Sequence, residues 1–164
     1  MESKLWYDLV NSKFGDEYLV LYLARQRWYR KIFKIATILF SASGIFCAFQ
    51  SIKIPTIISC TCIGLVQLST SIENFVIHSE DDLDNIGKLR MLYYSRTTKL
   101  EELWHAYKSE SISVDEVTAQ FWQLRTSKFE IEELDNKLNI RKFKKLEGKA
   151  NDLTNNYLTT YYYE

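Results

Sequence analysis

Apolar residues recur along this chain at intervals of three and four over most of its length, and two stretches abandon the alternation altogether. Near the N-terminus Leu5, Trp6, Leu9 and Val10, then Tyr18, Leu19 and Tyr22, alternate with charged groups at helical spacing. Gly15 predicts a bend or break there, giving one or two amphipathic helices packed on the rest of the protein or lying on a membrane surface. Further on, Ile86, Leu89, Tyr93, Arg96, Leu100, Leu103 and Tyr107 keep a strict 3-4 spacing, with only Arg96 out of character. They predict a long helix over about 73–108. Residues 109–113 interrupt the pattern, and Ser113 followed by Glu116 is a capping box opening the next helix. That helix carries Val117, Phe121, Leu124, Ile131, Leu134 and Leu138, with Lys128 as the mismatch. It turns basic at Arg141, Lys142, Lys144 and Lys145, and Gly148 is expected to end or bend it. Leu146, Ala150, Leu153, Tyr157 and Tyr161 mark a last helix. The seams are nearly heptad, so the pattern predicts an all-α protein with a long-helix bundle or coiled coil, and a homo-oligomer.

The two exceptional stretches are uncharged. From residue 35 to 72 the single charge is Lys53, which separates runs at 35–52 and 54–72. At about 1.5 Å per residue each run spans roughly 27–28 Å, close to the ~30 Å hydrocarbon core of a bilayer. Lys34 can snorkel and lengthen the first, the connection is short enough for only a tight turn, and Pro55 suits the first turn of a new helix. A transmembrane hairpin follows. The alternative is a pair of core helices in a soluble bundle, consistent with the many Ser, Thr, Cys and Gln in both runs. Against it, a chain of 164 residues has few other elements able to wrap two helices that are apolar all round. The division expected is an N-terminal amphipathic segment at 1–34, a hairpin at 35–72 and a cytoplasmic helical domain at 73–164.

Composition adds less than its distribution. The chain has 21 basic and 21 acidic residues, one proline and five glycines, so strand-rich sandwiches and the simplest electrostatic case for nucleic-acid binding both drop out. By position the balance dissolves: 1–34 holds seven basic and four acidic groups, 73–164 thirteen and seventeen. Arg25, Arg27, Arg30, Lys31 and Lys34 stand just before the first run, which by the positive-inside rule puts both termini in the cytoplasm of a multi-pass membrane protein. With Trp28 and Tyr29 they are the expected membrane-interface anchors, alongside Phe33. The acidic cluster Glu80, Asp81, Asp82 and Asp84 reads as a solvated face or as a partner for that basic stretch.

Signatures of catalysis are missing. There is no Gly-rich phosphate loop and no His-Glu-x-x-His pair, and His78 and His105 lie far apart. Glu101, Glu102 and His105 read as a helix surface. Cys47, Cys60 and Cys62 fall inside the two runs, where they act as small packing residues. No catalytic residue, metal or cofactor is expected. Each run does carry a stripe of small or polar residues: Thr37, Ser41, Gly44 and Ala48 in the first, and Thr56, Cys60, Gly64, Gln67 and Ser71 in the second. Such stripes either let helices approach closely and hydrogen-bond, or face the lumen of an oligomeric pore.

The layout of a basic-aromatic lead-in (Arg27-Trp28-Tyr29-Arg30), a tight two-span hairpin and a long helical tail with Leu103-Trp104 and Asn155-Asn156-Tyr157 resembles the SLATT family over nearly the whole chain. These are bacterial two-transmembrane effectors associated with nucleotide-signalling conflict systems. The resemblance implies a non-enzymatic antiviral effector that oligomerises on activation and permeabilises the inner membrane. It also implies a cyclic nucleotide signal reaching the tail, or a separate sensor protein. A non-conducting two-span scaffold whose tail recruits a partner is the alternative.

Overall fold

The computed structural model describes residues 1–49, 61, 64, 65, 67, 68 and 78–162, apart from the side chains of 40–49. Among the described residues every regular element is helical. The described residues hold four long helices: α1 (Glu2–Phe49), α2 (Glu80–Lys108), α3 (Val114–Leu138) and α4 (Lys144–Tyr162). Thr61, Gly64, Leu65, Gln67 and Leu68 are also helical. The chain divides into two compact units, one made of Met1–Leu23 with Asp84–Glu164 and the other of Ala24–Leu83.

In the first unit the start of α1 packs on the bundle formed by α2, α3 and α4. Its seam is Leu5, Leu9, Ser12, Asp16, Leu19 and Leu23, all buried at alternating spacings of four and three. This is a heptad stripe with two polar members. α2 answers with Ile86, Leu89, Arg96, Leu100 and Leu103, also buried. The two run antiparallel: from Glu2 through Asp8 and Ser12 to Asp16, the partners on α2 go from Lys108 through Arg96 and Thr97 to Arg90. Leu5, Leu9, Leu100, Leu103, Val117 and Phe121 form one apolar cluster, edged by Trp6, Trp104 and Tyr162. Each fully buried leucine there contributes about 1.5–3 kcal/mol.

Several local expectations are corrected. Gly15 neither bends nor breaks α1, which runs through it. The glycine is needed for contact instead, because a Cβ at that position would overlap the ring of Tyr93. α2 begins at Glu80 rather than near residue 73. His78 and Ser79 are outside the helix, where the Ser79 N–H donates to Asp82 Oδ2 (3.3 Å) and the Asp82 N–H donates to Ser79 Oγ (3.1 Å). This reciprocal cap fixes the start. α3 ends at Leu138, where Asn139 adopts a left-handed conformation (φ 46°, ψ 53°) and its N–H reaches the Asp135 carbonyl. Asparagine tolerates that region better than most residues. Gly148 then lies inside α4, not at a break. The buried seam of α4 is Ala150, Thr154 and Leu158, whereas Leu153 and Tyr161 are exposed, so the seam is shifted from the one expected.

The capping box is present as expected: the Ser113 side chain accepts from the Glu116 N–H, and the Glu116 carboxylate accepts from the Ser113 N–H. The α2 seam and the α3 seam at Val117, Phe121, Ile131 and Leu138 also lie where the spacing put them.

Candidate functional site

Within the second unit, one face of α1 is exposed along its length and changes character as it goes. Arg27, Trp28, Lys31 and Lys34 come first, with Ile32 among them, and Ile35, Ile38 and Leu39 follow. Trp28 is 57% exposed and Ile38 66%. The residues expected to act as interface anchors divide into two groups. Arg25 donates from Nε to the Tyr29 hydroxyl at 3.1 Å and lies over its ring, and Tyr29 packs against Trp28 with ring centroids 5.3 Å apart. Arg30 is ion-paired with Glu80 at 2.7 Å, which gives one member of the acidic cluster a basic partner. Asp82 is the second cluster member with a structural role, through the Ser79 cap. Its carboxyl is held below its ordinary range chiefly by that hydroxyl bond. Asp81 and Asp84 are exposed, as a solvated face would have them.

The opposite face of α1 carries the first stripe. Thr37 donates to the Phe33 carbonyl one turn back, at 2.9 Å. Ser41, Gly44 and Ala48 are on the helical backbone in register with it. The same 4-3-4 spacing leads back to Arg30 and Gln26. Gln26 is only 4% exposed, and its Oε1 and the Arg30 Nε are buried with no hydrogen-bond partner among the described residues. Buried donors and acceptors of this kind require water or another polar group. From the second stripe, Gly64 and Gln67 are helical, with Gln67 exposed. Thr56, Cys60 and Ser71 lie outside the described residues.

The first unit holds a polar layer that periodicity alone passed over. Arg96, 6% exposed, donates to Asp8 Oδ2 at 2.9 Å, to Ser127 Oγ at 3.1 Å and to the Leu124 carbonyl. One turn along α1, Ser12 donates to the Tyr93 carbonyl and lies 3.1 Å from Thr97 Oγ1. Another turn on, buried Asp16 accepts from Arg90 Nε at 3.0 Å. Arg96 was visible as a misfit in an apolar seam. Ser12 and Asp16 had no signal, because the apolar residues around them drew a different stripe.

A second cluster gathers the ends of α1, α2 and α4. Trp6 packs against Trp104 at 4.9 Å and Tyr162 at 5.4 Å, and His105 stacks on Tyr162. Glu101 accepts a 2.6 Å bond from the Tyr157 hydroxyl, over whose ring Lys13 sits at 4.1 Å. Burial, with the Glu101 carboxylate second, pushes the Tyr157 phenol well above its ordinary range. His105 and Glu101 thus each have an aromatic partner. Between α1 and α3 lies an open groove of about 270 Å³ lined by Lys4, Tyr7, Asp8, Phe121, Arg125 and Lys128.

No family model, no curated protein and no solved structure matches this chain. Among the described residues no helix is long and apolar enough to cross a membrane. The uncharged run continues beyond Phe49, where the description stops.

Proposed function

We propose that this chain is a non-enzymatic effector of the bacterial inner membrane. A two-span hairpin at 35–72 inserts in the bilayer, and a helical cytoplasmic domain drives oligomerisation into a pore or a disruptive assembly on activation. The observation that carries the reading is the exposed face of α1, which passes from Arg27, Trp28 and Lys31 to Ile35, Ile38 and Leu39 within a few turns. That order, cation and indole and then aliphatic, matches the order of headgroup and hydrocarbon. The stripe that begins with Gln26 and Arg30 and continues through Thr37 supports a polar seam between protomers or a wet path, since it starts with unsatisfied buried groups.

The layout resembles the SLATT effectors, and on that likeness activation comes from a cyclic nucleotide or from a separate sensor. The groove between α1 and α3 supports direct contact with a nucleotide through the exposed Lys4 and Arg125 for a phosphate and the exposed Tyr7 for a base. A second reading, a non-conducting scaffold, is favoured by the exposed Trp122 and Phe129 on α3, which a recruited partner would cover.

Carbonate extraction of membranes from expressing cells tests the location: retention in the pellet is expected, and release into the supernatant refutes both membrane readings. Induction together with the activating system is expected to collapse the membrane potential. An intact potential under those conditions leaves the scaffold.

A further inference from the structure

Five cations crowd the stretch of α1 before the uncharged run, and they are not equivalent. Arg25 is committed to Tyr29 and Arg30 to Glu80. The other three, Arg27, Lys31 and Lys34, are exposed on one face at spacings of four and three, and among the described residues nothing pairs with them. Like charges at those spacings are neighbours on a helix surface and oppose the helix that holds them. The triad therefore weakens α1 locally unless an anion from outside the unit answers it.

The surroundings of the triad identify that anion. Trp28, exposed, lies beside Arg27 and Lys31 on the helix surface, and one to two turns further the same face becomes Ile35 and Ile38. A free anion would gain nothing from that apolar flank. A molecule with a phosphate at one end and acyl chains at the other would meet both parts at once. Resting on the membrane reading above, we infer that Arg27, Lys31 and Lys34, with Trp28, form a binding surface selective for the phosphate headgroups of anionic phospholipids. Zwitterionic lipid carries an ammonium on each headgroup and neutralises the triad less well.

The test uses the full chain in a neutral detergent, titrated separately with phosphatidylglycerol, phosphatidylcholine and glycerol phosphate, with bound ligand read by native mass spectrometry. Phosphatidylglycerol is expected to bind at least about tenfold more tightly than phosphatidylcholine, as three interfacial cations allow. R27Q/K31Q/K34Q is expected to bring that ratio close to one, whereas K99Q/K137Q/K149Q, which removes three exposed cations elsewhere, leaves it unchanged. Equal affinity for the two lipids overturns the inference, as does a ratio that survives the first triple variant. Glycerol phosphate binding as tightly as phosphatidylglycerol also overturns it, in favour of a soluble-anion site. Carbonate extraction separates the two levels: a lipid-indifferent protein that stays in the pellet refutes only this inference, and one released to the supernatant refutes the membrane reading beneath it.

Discussion

Arg96 on α2 donates to Asp8 on α1 across the interior of the helical unit, 2.9 Å apart, with the arginine almost wholly buried. The pair is closed by Ser127 and the Leu124 carbonyl, so the guanidinium ties α1, α2 and α3 at one level. Removing one partner of such a pair leaves a charge without compensation, which costs about 3–5 kcal/mol. Asp8→Ala and Arg96→Ala are each expected to lower stability by an amount toward that range, Asp8→Ala because it strands a guanidinium that is almost wholly buried. The double variant Asp8→Ala/Arg96→Ala is expected to cost much less than the sum. Denaturant titration of the full chain by circular dichroism gives the double-mutant cycle, and additivity would show that the pair is not coupled.

Gly15 and Tyr93 make a second contact between α1 and α2. Alanine is ordinarily the better helix residue by about 1 kcal/mol. Here its Cβ would lie within 2.9 Å of three ring atoms of Tyr93, so the ring would have to shift. Gly15→Ala is expected to destabilise by about 1–3 kcal/mol, in line with overpacked cores, and Tyr93→Ser on the same background to restore part of the loss. A thermal melt that rises for Gly15→Ala would reject the contact.

Tyr18 holds the connection between α3 and α4. Its hydroxyl donates to the Arg141 carbonyl at 2.7 Å and accepts from the Phe143 N–H at 3.1 Å. Tyr18→Phe removes both of these bonds, a loss of about 1–3 kcal/mol. Hydrogen exchange at Phe143 is expected to accelerate, while exchange within α2 should change little.

Two helix starts are sensitive to acid. The Asp82 carboxyl is held low by Ser79, and that of Glu116 by the Ser113 N–H and hydroxyl. A carboxyl whose folded value lies below its unfolded value stabilises fully above the unfolded value, and that contribution disappears as pH falls through the folded one. The first turns of α2 and α3 are therefore expected to lose exchange protection below about pH 4. Ser79→Ala and Ser113→Ala should flatten that dependence, and an unchanged acid profile in both variants would show that the caps do not set it.

The polar stripe of the second run separates pore from packing. Gln67→Leu is expected to change toxicity under activating conditions more than Leu65→Ile, an apolar exchange on an exposed neighbour. Equal effects would favour packing.

Much of the helical unit could be read from spacing. The α2 stripe from Ile86 to Leu103 and the α3 stripe from Val117 to Leu138 follow from burial of apolar side chains every three or four residues, and the Ser113–Glu116 box follows from local hydrogen bonding. These are short-range effects, and a single helix contains all the information needed. The phase of α4 was less legible. Its exposed Leu153 and Tyr161 are apolar by type, while buried Thr154 is not.

The sequence by itself determined that this protein is helical, where its uncharged run lies, and that a basic-aromatic stretch precedes that run. Those properties belong to residue types in order, and no fold can move them. Only the tertiary structure decided which polar residues are interior. Ser12, Asp16 and Arg96 occupy seam positions because partners more than seventy residues away complete their hydrogen bonds. It also decided that Gly15 serves the Tyr93 ring rather than a bend, and which of the five collar cations already have partners. Burial of a polar group is set by what lies across from it, and that neighbour is chosen by the fold.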